Sequence, residues 1–309
     1  MTVFPLLKLP LLATEEVLKQ LSFGDIYKMS MCSKRCSNII RIAHTRKYTL
    51  DIHPSISSLS FFLNVGNFHW TIPKDEQKRN SGDPTFIDRI SEELRAEFSD
   101  FLTTFKFHQK SFHSSRIWTP EHNQLLLETI IRKQGNTFED FILGGSYGEM
   151  SNQWILENIR VTNTLTTYAP FPQKGFIFKM CPKVVRSFSS SWITLDTLIS
   201  LGVCRAVEAH TTMLKTPNGM NSFMEMWKGD KFPNLEFLSL RIMNWEDNEM
   251  ILGFTREQLS VRRNVRTKRI SSNLYYCIGG MDIKSNGGVN GTLYADATCK
   301  YVSFFVWKD

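Results

Sequence analysis

The sequence lacks the features that mark membrane proteins and disulfide-rich secreted proteins. No apolar run approaches the ~18 residues that cross a bilayer, so we expect no membrane partner. A secretion signal is not predicted either, because Pro5, Lys8 and Pro10 interrupt the apolar start. The 6 cysteines are scattered and form no CxxC pair, which argues against a disulfide framework and a zinc site. We therefore expect reduced thiols and a cytoplasmic or nuclear protein.

Patterns typical of catalysis and of cofactor binding are missing as well. The 7 histidines form no HxH or HxxxH pair, and "GGS" (144–146) lacks the G-x-S-x-G arrangement that exposes a serine nucleophile. The glycine-rich "NGGVNG" (286–291) lies in a hairpin pattern and not between a strand and a helix, so it does not predict a phosphate-binding loop. We expect no enzyme activity, no metal and no cofactor.

What the chain does have is a net charge of +7 that is unevenly distributed. Residues 1–48 hold eight basic and three acidic side chains, and a second basic run, "RRNVRTKR", occupies 262–269. Either patch could face an acidic protein, a nucleic acid or solvent. Because no zinc-finger, RNP-like or recognition-helix pattern accompanies them, a nucleic-acid partner is not favoured.

The first 43 residues contain start and stop signals that predict three short helices. Thr14 is a predicted N-cap of the first helix, Asp25 of the second over 26–31, and Ser33 of the third. Three such helices bury little surface by themselves. The leucines nearby exceed what the helices can cover, so they either meet a partner or pack on the chain's own second domain. Those leucines are Leu6, Leu7, Leu9 and Leu11.

The segment "LPLLATEEVLKQLSFGDIYKMSMCSKRCSNII" resembles an F-box, with Leu-Pro, an acidic helix start, an apolar pair, a loop and a helix leading into "CSKR". "FPLLKLPLLATEEVLKQL" is similar to F-box proteins that carry a type-2 F-box-associated domain. The resemblance implies docking on the Skp-type adaptor of a cullin–RING ubiquitin ligase. The positions that match the docking residues of the family are Leu9, Pro10, Val17, Leu21, Ile26, Cys32 and Lys34.

Residues 49–136 are predicted to form a connecting α/β region. "KYTLDIH" (47–53) alternates like a strand, "PKDEQKRNSGDP" (73–84) reads as a polar loop, and helical patterns follow near 86–102 and 121–133. Thr119 is a predicted cap of the last helix, with Pro120 at its first position.

From about residue 137 to 309, strand-like and helical segments alternate. Strand-like runs begin at 138, 164, 184, 205 and 235, with helical patterns at 150–159, 193–201 and 219–230. This alternation indicates a degenerate leucine-rich-repeat-like solenoid, with an irregular α/β domain as the alternative. The chain ends on a predicted hairpin around Asn286-Gly-Gly and a strand "YVSFFVW" (301–307). The fold class is α+β, with three N-terminal helices followed by the repeat-like domain.

The same C-terminal region resembles the type-2 F-box-associated domain at Trp192, "LDTLISL", Trp227, "FPNLEFLSL" and "GGMDIK". The resemblance implies a substrate-recognition subunit of an SCF-type E3 ubiquitin ligase that binds a target protein. The alternative is a non-catalytic repeat-type binding module unconnected with ubiquitination. Strand alternation predicts that one exposed face binds the target. Its predicted residues are Glu208, His210, Phe237, Ser239 and Arg241.

Overall fold

The computed structural model describes residues 8–43, 48–52, 98–105, 107–114, 120–144, 149–168, 182–190, 192–210, 214, 216–242, 245–246, 248–296 and 301–308. Two compact units divide the chain, Met1–Phe138 and Glu139–Asp309. Across the described ranges, no helix combines the length and the apolar character that a membrane span requires. The predicted loop at 73–84 and the predicted cap Thr119 lie outside these ranges. The division of the chain at residue 48 stays a prediction.

The first unit opens with three helices, as predicted: α1 (Leu11–Gln20), α2 (Phe23–Cys32) and α3 (Lys34–Ala43). The predicted start of α1 was wrong. Pro10 is the N-cap, with φ −55° and ψ 150°, because its fixed φ suits the residue at which a helix begins. Thr14 is instead buried in the second turn, and its hydroxyl donates a hydrogen bond to the Pro10 carbonyl at 3.2 Å.

The starts of α2 and α3 depend on serine caps. The Ser22 hydroxyl oxygen accepts the backbone N–H of Asp25 at 3.2 Å, so the predicted cap Asp25 lies inside the first turn and the prediction was wrong. There its carboxylate favours the positive end of the helix dipole. The prediction for Ser33 is confirmed, since its Oγ accepts the N–H of Cys36 at 3.1 Å.

The rest of the first unit packs an aromatic core. Its further elements are β1 (Tyr48–Ile52), a helix α4 at 98–104, β2 (Phe107–His113) and α5 (Pro120–Gln134). The predicted strand at 47–53 and helix at 121–133 are thus present, and β1 pairs in parallel with β2. Phe23 of α2 lies 4.7 Å from the ring of Tyr48 and 5.0 Å from that of Phe105. The inner side of the three helices is therefore buried within their own unit.

The second unit confirms the predicted alternation of strands and helices. Its elements begin with β3 (Thr137–Leu143), α6 (Glu149–Asn158), β4 (Arg160–Thr167), β5 (Val184–Ser187), α7 (Leu195–Ser200), β6 (Ala206–Ala209), α8 (Pro217–Lys228) and β7 (Phe237–Arg241). They continue with α9 (Arg256–Leu259), β8 (Arg262–Ile270), β9 (Asn273–Gly279), β10 (Met281–Lys284), β11 (Asn290–Asp296) and β12 (Tyr301–Trp307). A leucine-rich-repeat character of these units stays a prediction.

The strands of the second unit form a mixed sheet in the order β3-β4-β5-β6-β7-β12-β11-β10. The strands from β4 to β7 pair in parallel, whereas β12, β11 and β10 pair antiparallel. The predicted terminal hairpin is β10–β11, with Lys284 opposite Asn290. One face of the sheet packs on α8, where Trp227 lies 4.7 Å from the ring of Phe304.

The other face is covered in part by a separate hairpin that the sequence did not predict. Strands β8 and β9 form a two-stranded antiparallel sheet. Ile270 and Cys277 from this hairpin join a buried cluster with residues of β5, β6, β7 and β12. Gly280 follows β9 with φ +90°, and a Cβ there would lie 2.3 Å from the carbonyl oxygen of Leu293. Glycine thus allows the chain to pass directly from the hairpin into β10.

Candidate functional site

The three N-terminal helices place the predicted docking residues in different environments. Six of the seven remain accessible. Pro10, Cys32 and Lys34 are exposed, while Leu9, Val17 and Leu21 are half-buried. The seventh, Ile26, is fully buried, so the prediction that it contacts a partner was wrong. It lies three residues after Phe23 on the inner side of α2, where helical spacing directs both side chains into the core.

Each of the three helices also exposes a large apolar side chain that the core does not use. Leu12 is 75% exposed on α1, Met31 is 65% exposed at the end of α2, and Ile42 is 60% exposed on α3. Leu11 beside Leu12 is exposed as well. The surplus of leucines in the sequence predicted Leu11 but missed the other three, because sequence spacing alone does not show which apolar residues of a short helix face the core. We call these four residues the outer apolar set.

The helices that carry the outer apolar set also carry exposed basic side chains. Lys19 forms a 2.7 Å ion pair with Glu16 on α1. The other basic side chains of the three helices are exposed and form no ion pair within the described part of the chain: Lys28, Lys34, Arg35 and Arg41. Unpaired cations beside exposed apolar groups suit a partner surface that is apolar at its centre and acidic at its rim.

A comparison with protein families assigns this region. The model of the F-box domain matches residues 6–47. Residues 6–47 are an F-box domain. The match contains α1, α2 and α3, and hence the whole outer apolar set. Comparison with curated proteins and with solved structures gives no match. The F-box domain is the part of the chain whose family is shown.

The predicted target-binding residues lie on the sheet of the second unit, on the face towards the β8–β9 hairpin. Strand pairing aligns Glu208 of β6 with Arg186 of β5 and with Ser239 of β7. Arg241 of β7 pairs with Tyr301 of β12. Glu208, His210, Ser239 and Arg241 are all half-buried. The predicted alternation is confirmed for the opposite face, since Val207, Leu238, Leu240 and Ile242 are buried.

Phe237 is not exposed, and this prediction was wrong. The side chain is 5% exposed, because Tyr275 of β9 covers it with ring centroids 4.2 Å apart and Phe305 of β12 lies 4.9 Å away. Alternation along β7 identified the correct face, but it could not reveal that a second layer covers that face. Of the five predicted target-binding residues, Phe237 therefore belongs to the core.

Glu208 is also engaged by the hairpin. Its carboxylate accepts hydrogen bonds from Arg186 Nε at 2.8 Å and from the Tyr275 hydroxyl at 2.9 Å. Burial and the charge of Glu208 raise the pKa of Tyr275, so its hydroxyl remains a donor. The pKa of Arg186 is raised as well, since bonding to Glu208 outweighs the opposing effect of burial. Glu208 thus links the hairpin to the sheet through hydrogen bonds.

The carboxyl end of this face is more open. The ring of His210 lies 4.5 Å from Phe188, which in turn stacks on Tyr168 at 4.4 Å. His210 Nδ1 lies 2.9 Å from the Tyr301 hydroxyl. Burial, together with the charge of Arg241, lowers the pKa of His210, so its imidazole is neutral at pH 7. Of the predicted target residues, His210 and Arg241 lie nearest this open end.

The described part of the chain gathers no set of metal ligands. Within it, no three His, Cys, Asp or Glu side chains are close enough to hold a metal ion. The described cysteines are thiols that form no disulfide, namely Cys32, Cys36, Cys204 and Cys277.

Proposed function

We propose that the chain is the substrate-recognition subunit of a cullin–RING (SCF-type) E3 ubiquitin ligase. The F-box domain would bind a Skp-type adaptor, and through it a cullin scaffold, while the second unit binds the target protein. The observation that carries this proposal is the outer apolar set within the F-box domain. Large apolar side chains that a folded unit leaves in solvent mark a protein interface.

The chain itself performs no chemistry in this scheme. It holds a target beside a ubiquitin-transferring enzyme, so that a target lysine meets the activated ubiquitin at a high effective concentration. Such an adaptor needs two binding surfaces and no catalytic group. The ligase would act in the cytoplasm, in the nucleus or in both.

The adaptor surface that we propose combines the outer apolar set with the accessible docking positions. Leu9, Pro10, Val17, Leu21, Cys32 and Lys34 belong to the latter. The apolar side chains supply the central anchors, which carry most of the affinity in such interfaces. The unpaired lysines and arginines steer an acidic partner and raise the association rate at low ionic strength.

For the second unit we propose a type-2 F-box-associated domain that binds the target. This rests on the resemblance at Trp192, Trp227 and the "FPNLEFLSL" segment, and on the order of the strands and helices. Both tryptophans are buried in the second unit, as expected for residues that define a fold rather than a ligand contact. The target surface itself is a separate question.

Co-expression with a Skp-type adaptor tests the proposal. We expect the parent chain to co-purify with the adaptor, and the double variant Leu12→Asp/Met31→Asp to lose the adaptor, because buried anchors of an interface cannot be charged. The matched control is Gln20→Asp, which adds a carboxylate to an exposed position of α1 and should retain binding. A parent chain that purifies as a stable monomer in the presence of adaptor would support the non-ligase binding module instead.

A further inference from the structure

The outward face of the β8–β9 hairpin has the composition of a binding surface. A hairpin that covers a core on one face normally carries polar side chains on the other. Here Val265 is 59% and Tyr276 57% exposed, and Leu274, Ile278 and the adjoining Val261 are exposed as well. Val265 precedes Arg266, which pairs with Cys277, and Ile278 follows Cys277. The apolar side chains of the two strands are therefore neighbours.

The cations of the hairpin fall into two groups. Arg266 and Lys268 point inward and are paired, Arg266 with Asp282 at 2.8 Å and Lys268 with Glu236 at 3.1 Å. The other three, Arg262, Arg263 and Arg269, are exposed. They form no ion pair within the described part of the chain, although Arg263 contacts the Met281 sulfur at 3.7 Å. The hairpin sequence 262–279 contains no acidic residue.

Arginines lie at both ends of the exposed apolar side chains. The pairing places Arg269 opposite Leu274 and Thr267 opposite Tyr276, and it places Arg262 opposite Gly279 at the other end of the two strands. Val265, Tyr276 and Ile278 therefore lie between Arg269 and the neighbouring arginines Arg262 and Arg263. Exposed arginine and tyrosine side chains are enriched among the residues that dominate protein–protein affinity.

We propose that this outward hairpin face binds an extended acidic segment of the target protein, whose carboxylates meet the arginines and whose apolar side chains cover Val265, Tyr276 and Ile278. The assignment of the occupant as the target rests on the proposed ligase function. An extended chain directs alternate side chains to one face, so carboxylates and apolar side chains that both meet the hairpin stand an even number of residues apart in the segment. A second copy of the chain is disfavoured because the two faces would carry like charges.

Nucleic acid fits this face less well than an acidic protein segment. Single-stranded nucleic acids bind through successive aromatic platforms beside a basic groove. The face offers one tyrosine, Tyr276, among aliphatic side chains such as Val265 and Leu274. Aliphatic groups with arginines at either end suit valine, leucine or isoleucine side chains flanked by carboxylates.

The test measures peptide binding to the full chain by fluorescence anisotropy. The probe is a labelled peptide of about twelve residues in which every second position carries glutamate near the two ends and valine between them, with serine at the other positions. It is long enough to span β8 when extended, and it presents both glutamate and valine to the same face. Matched peptides replace glutamate by glutamine or lysine, or valine by serine. We expect binding of the glutamate–valine peptide alone, with an affinity that falls as ionic strength rises.

Two variants separate the contributions of charge and of apolar contact. Arg262→Glu/Arg269→Glu and Tyr276→Thr/Ile278→Thr should each raise Kd at least about tenfold. The control Lys231→Glu/Lys284→Glu changes the net charge equally at exposed positions of the same unit and should leave Kd within about twofold. If the first variant unfolds, Arg262→Gln/Arg269→Gln replaces it.

Three outcomes would overturn the proposal. The first is no binding of the glutamate–valine peptide at about 100 μM, a concentration that detects even weak interfaces. The second is equal binding by the parent and the hairpin variants, and the third is stronger binding of polyuridine RNA or of phosphatidylserine vesicles than of the peptide. Adaptor co-purification is measured on the same proteins. If the parent chain binds the peptide but does not bind the adaptor, the ligase function is refuted and the hairpin site is retained.

Discussion

The F-box helices and the β8–β9 hairpin both leave large apolar side chains in solvent beside unpaired cations, but they do so for different structural reasons. In α1, Leu18 is buried whereas Leu12 is exposed, and in α2 Ile26 is buried whereas Met31 is exposed. In the hairpin, adjacent residues have opposite environments: Tyr275 covers Phe237, while Tyr276 is exposed. On a helix, an apolar residue can lie outside the buried side without disturbing the core. A strand that is apolar on both faces buries all of its apolar side chains only if each face meets a partner.

The difference also lies in how charge is used. Within the hairpin, Arg266 and Lys268 attach the inner face to the sheet, while Arg262, Arg263 and Arg269 are exposed and form no ion pair with the residues that the structure describes. On the helices the basic side chains take little part in holding the fold, since the aromatic core of the first unit provides the packing. In the hairpin, some charged side chains stabilise the fold and others are exposed for contact, whereas in the F-box domain most charged side chains are exposed.

The largest expected effect comes from placing the same charged residue at a buried and at an exposed position of the F-box helices. Ile26→Asp should destabilise the first unit by about 4 kcal/mol, because it places a carboxylate without a partner in an apolar core. Urea denaturation followed by circular dichroism measures the loss. Leu12→Asp is the matched control and should change the free energy of unfolding by less than about 0.5 kcal/mol. Equal effects of the two substitutions would contradict the assigned burial.

The same contrast applies to the sheet under the hairpin. Phe237→Ala should destabilise the second unit by about 3 kcal/mol, because it leaves a cavity between Tyr275 and Phe305. Tyr276→Ala, which removes an aromatic ring from the outer face of the same hairpin, should cost less than about 0.5 kcal/mol. Thermal unfolding of both variants checks this. A Phe237→Ala protein as stable as the parent would restore Phe237 to the exposed surface first predicted for it.

The sequence predicts the elements of this fold better than it predicts which residues they cover. Three helices, the strand–helix alternation and the terminal hairpin follow from local periodicity and turn residues. The helix starts at Pro10 and Ser22 were missed, because Thr14 and Asp25 have equally good capping chemistry a few residues later. Cap choice depends on which turn also buries Leu18 and Phe23, and that is a property of the packed unit.

The environment of the sheet face could not be predicted, because it depends on contacts between residues far apart in the chain. Nothing in "LEFLSLRI" indicates that Tyr275 covers Phe237. The run "RRNVRTKR" reads as a solvated basic segment, yet alternate cations turn inward. Lys268 Nζ donates a 2.6 Å hydrogen bond to the carbonyl of Val306, an acceptor that no local pattern reveals.

The smallest effect is the pH dependence of the contact that holds the hairpin to β7. Burial alone would raise the pKa of Glu236, but hydrogen bonds from Arg205 and Lys268 outweigh it, so the pKa lies below its ordinary value of 4.5. A carboxylate with a lowered pKa stabilises the fold fully above its ordinary pKa, and this contribution is lost as pH falls through the lowered value. Glu236→Gln should therefore be less stable than the parent at pH 7, and the difference should shrink below pH 4.5.

Urea denaturation of parent and Glu236→Gln at pH 7, and in steps from pH 4.5 downward, measures that difference. Other carboxylates titrate in both proteins, so their contributions cancel in the subtraction. In a Lys268→Met background the pH dependence of the difference should be smaller, because Arg205 alone then holds the carboxylate. A difference that stays constant with pH, or that grows on acidification, would mean that Glu236 does not fasten the hairpin in its charged form. The inner cations would then contribute packing alone. Ion pairing would no longer distinguish them from the exposed arginines of the hairpin.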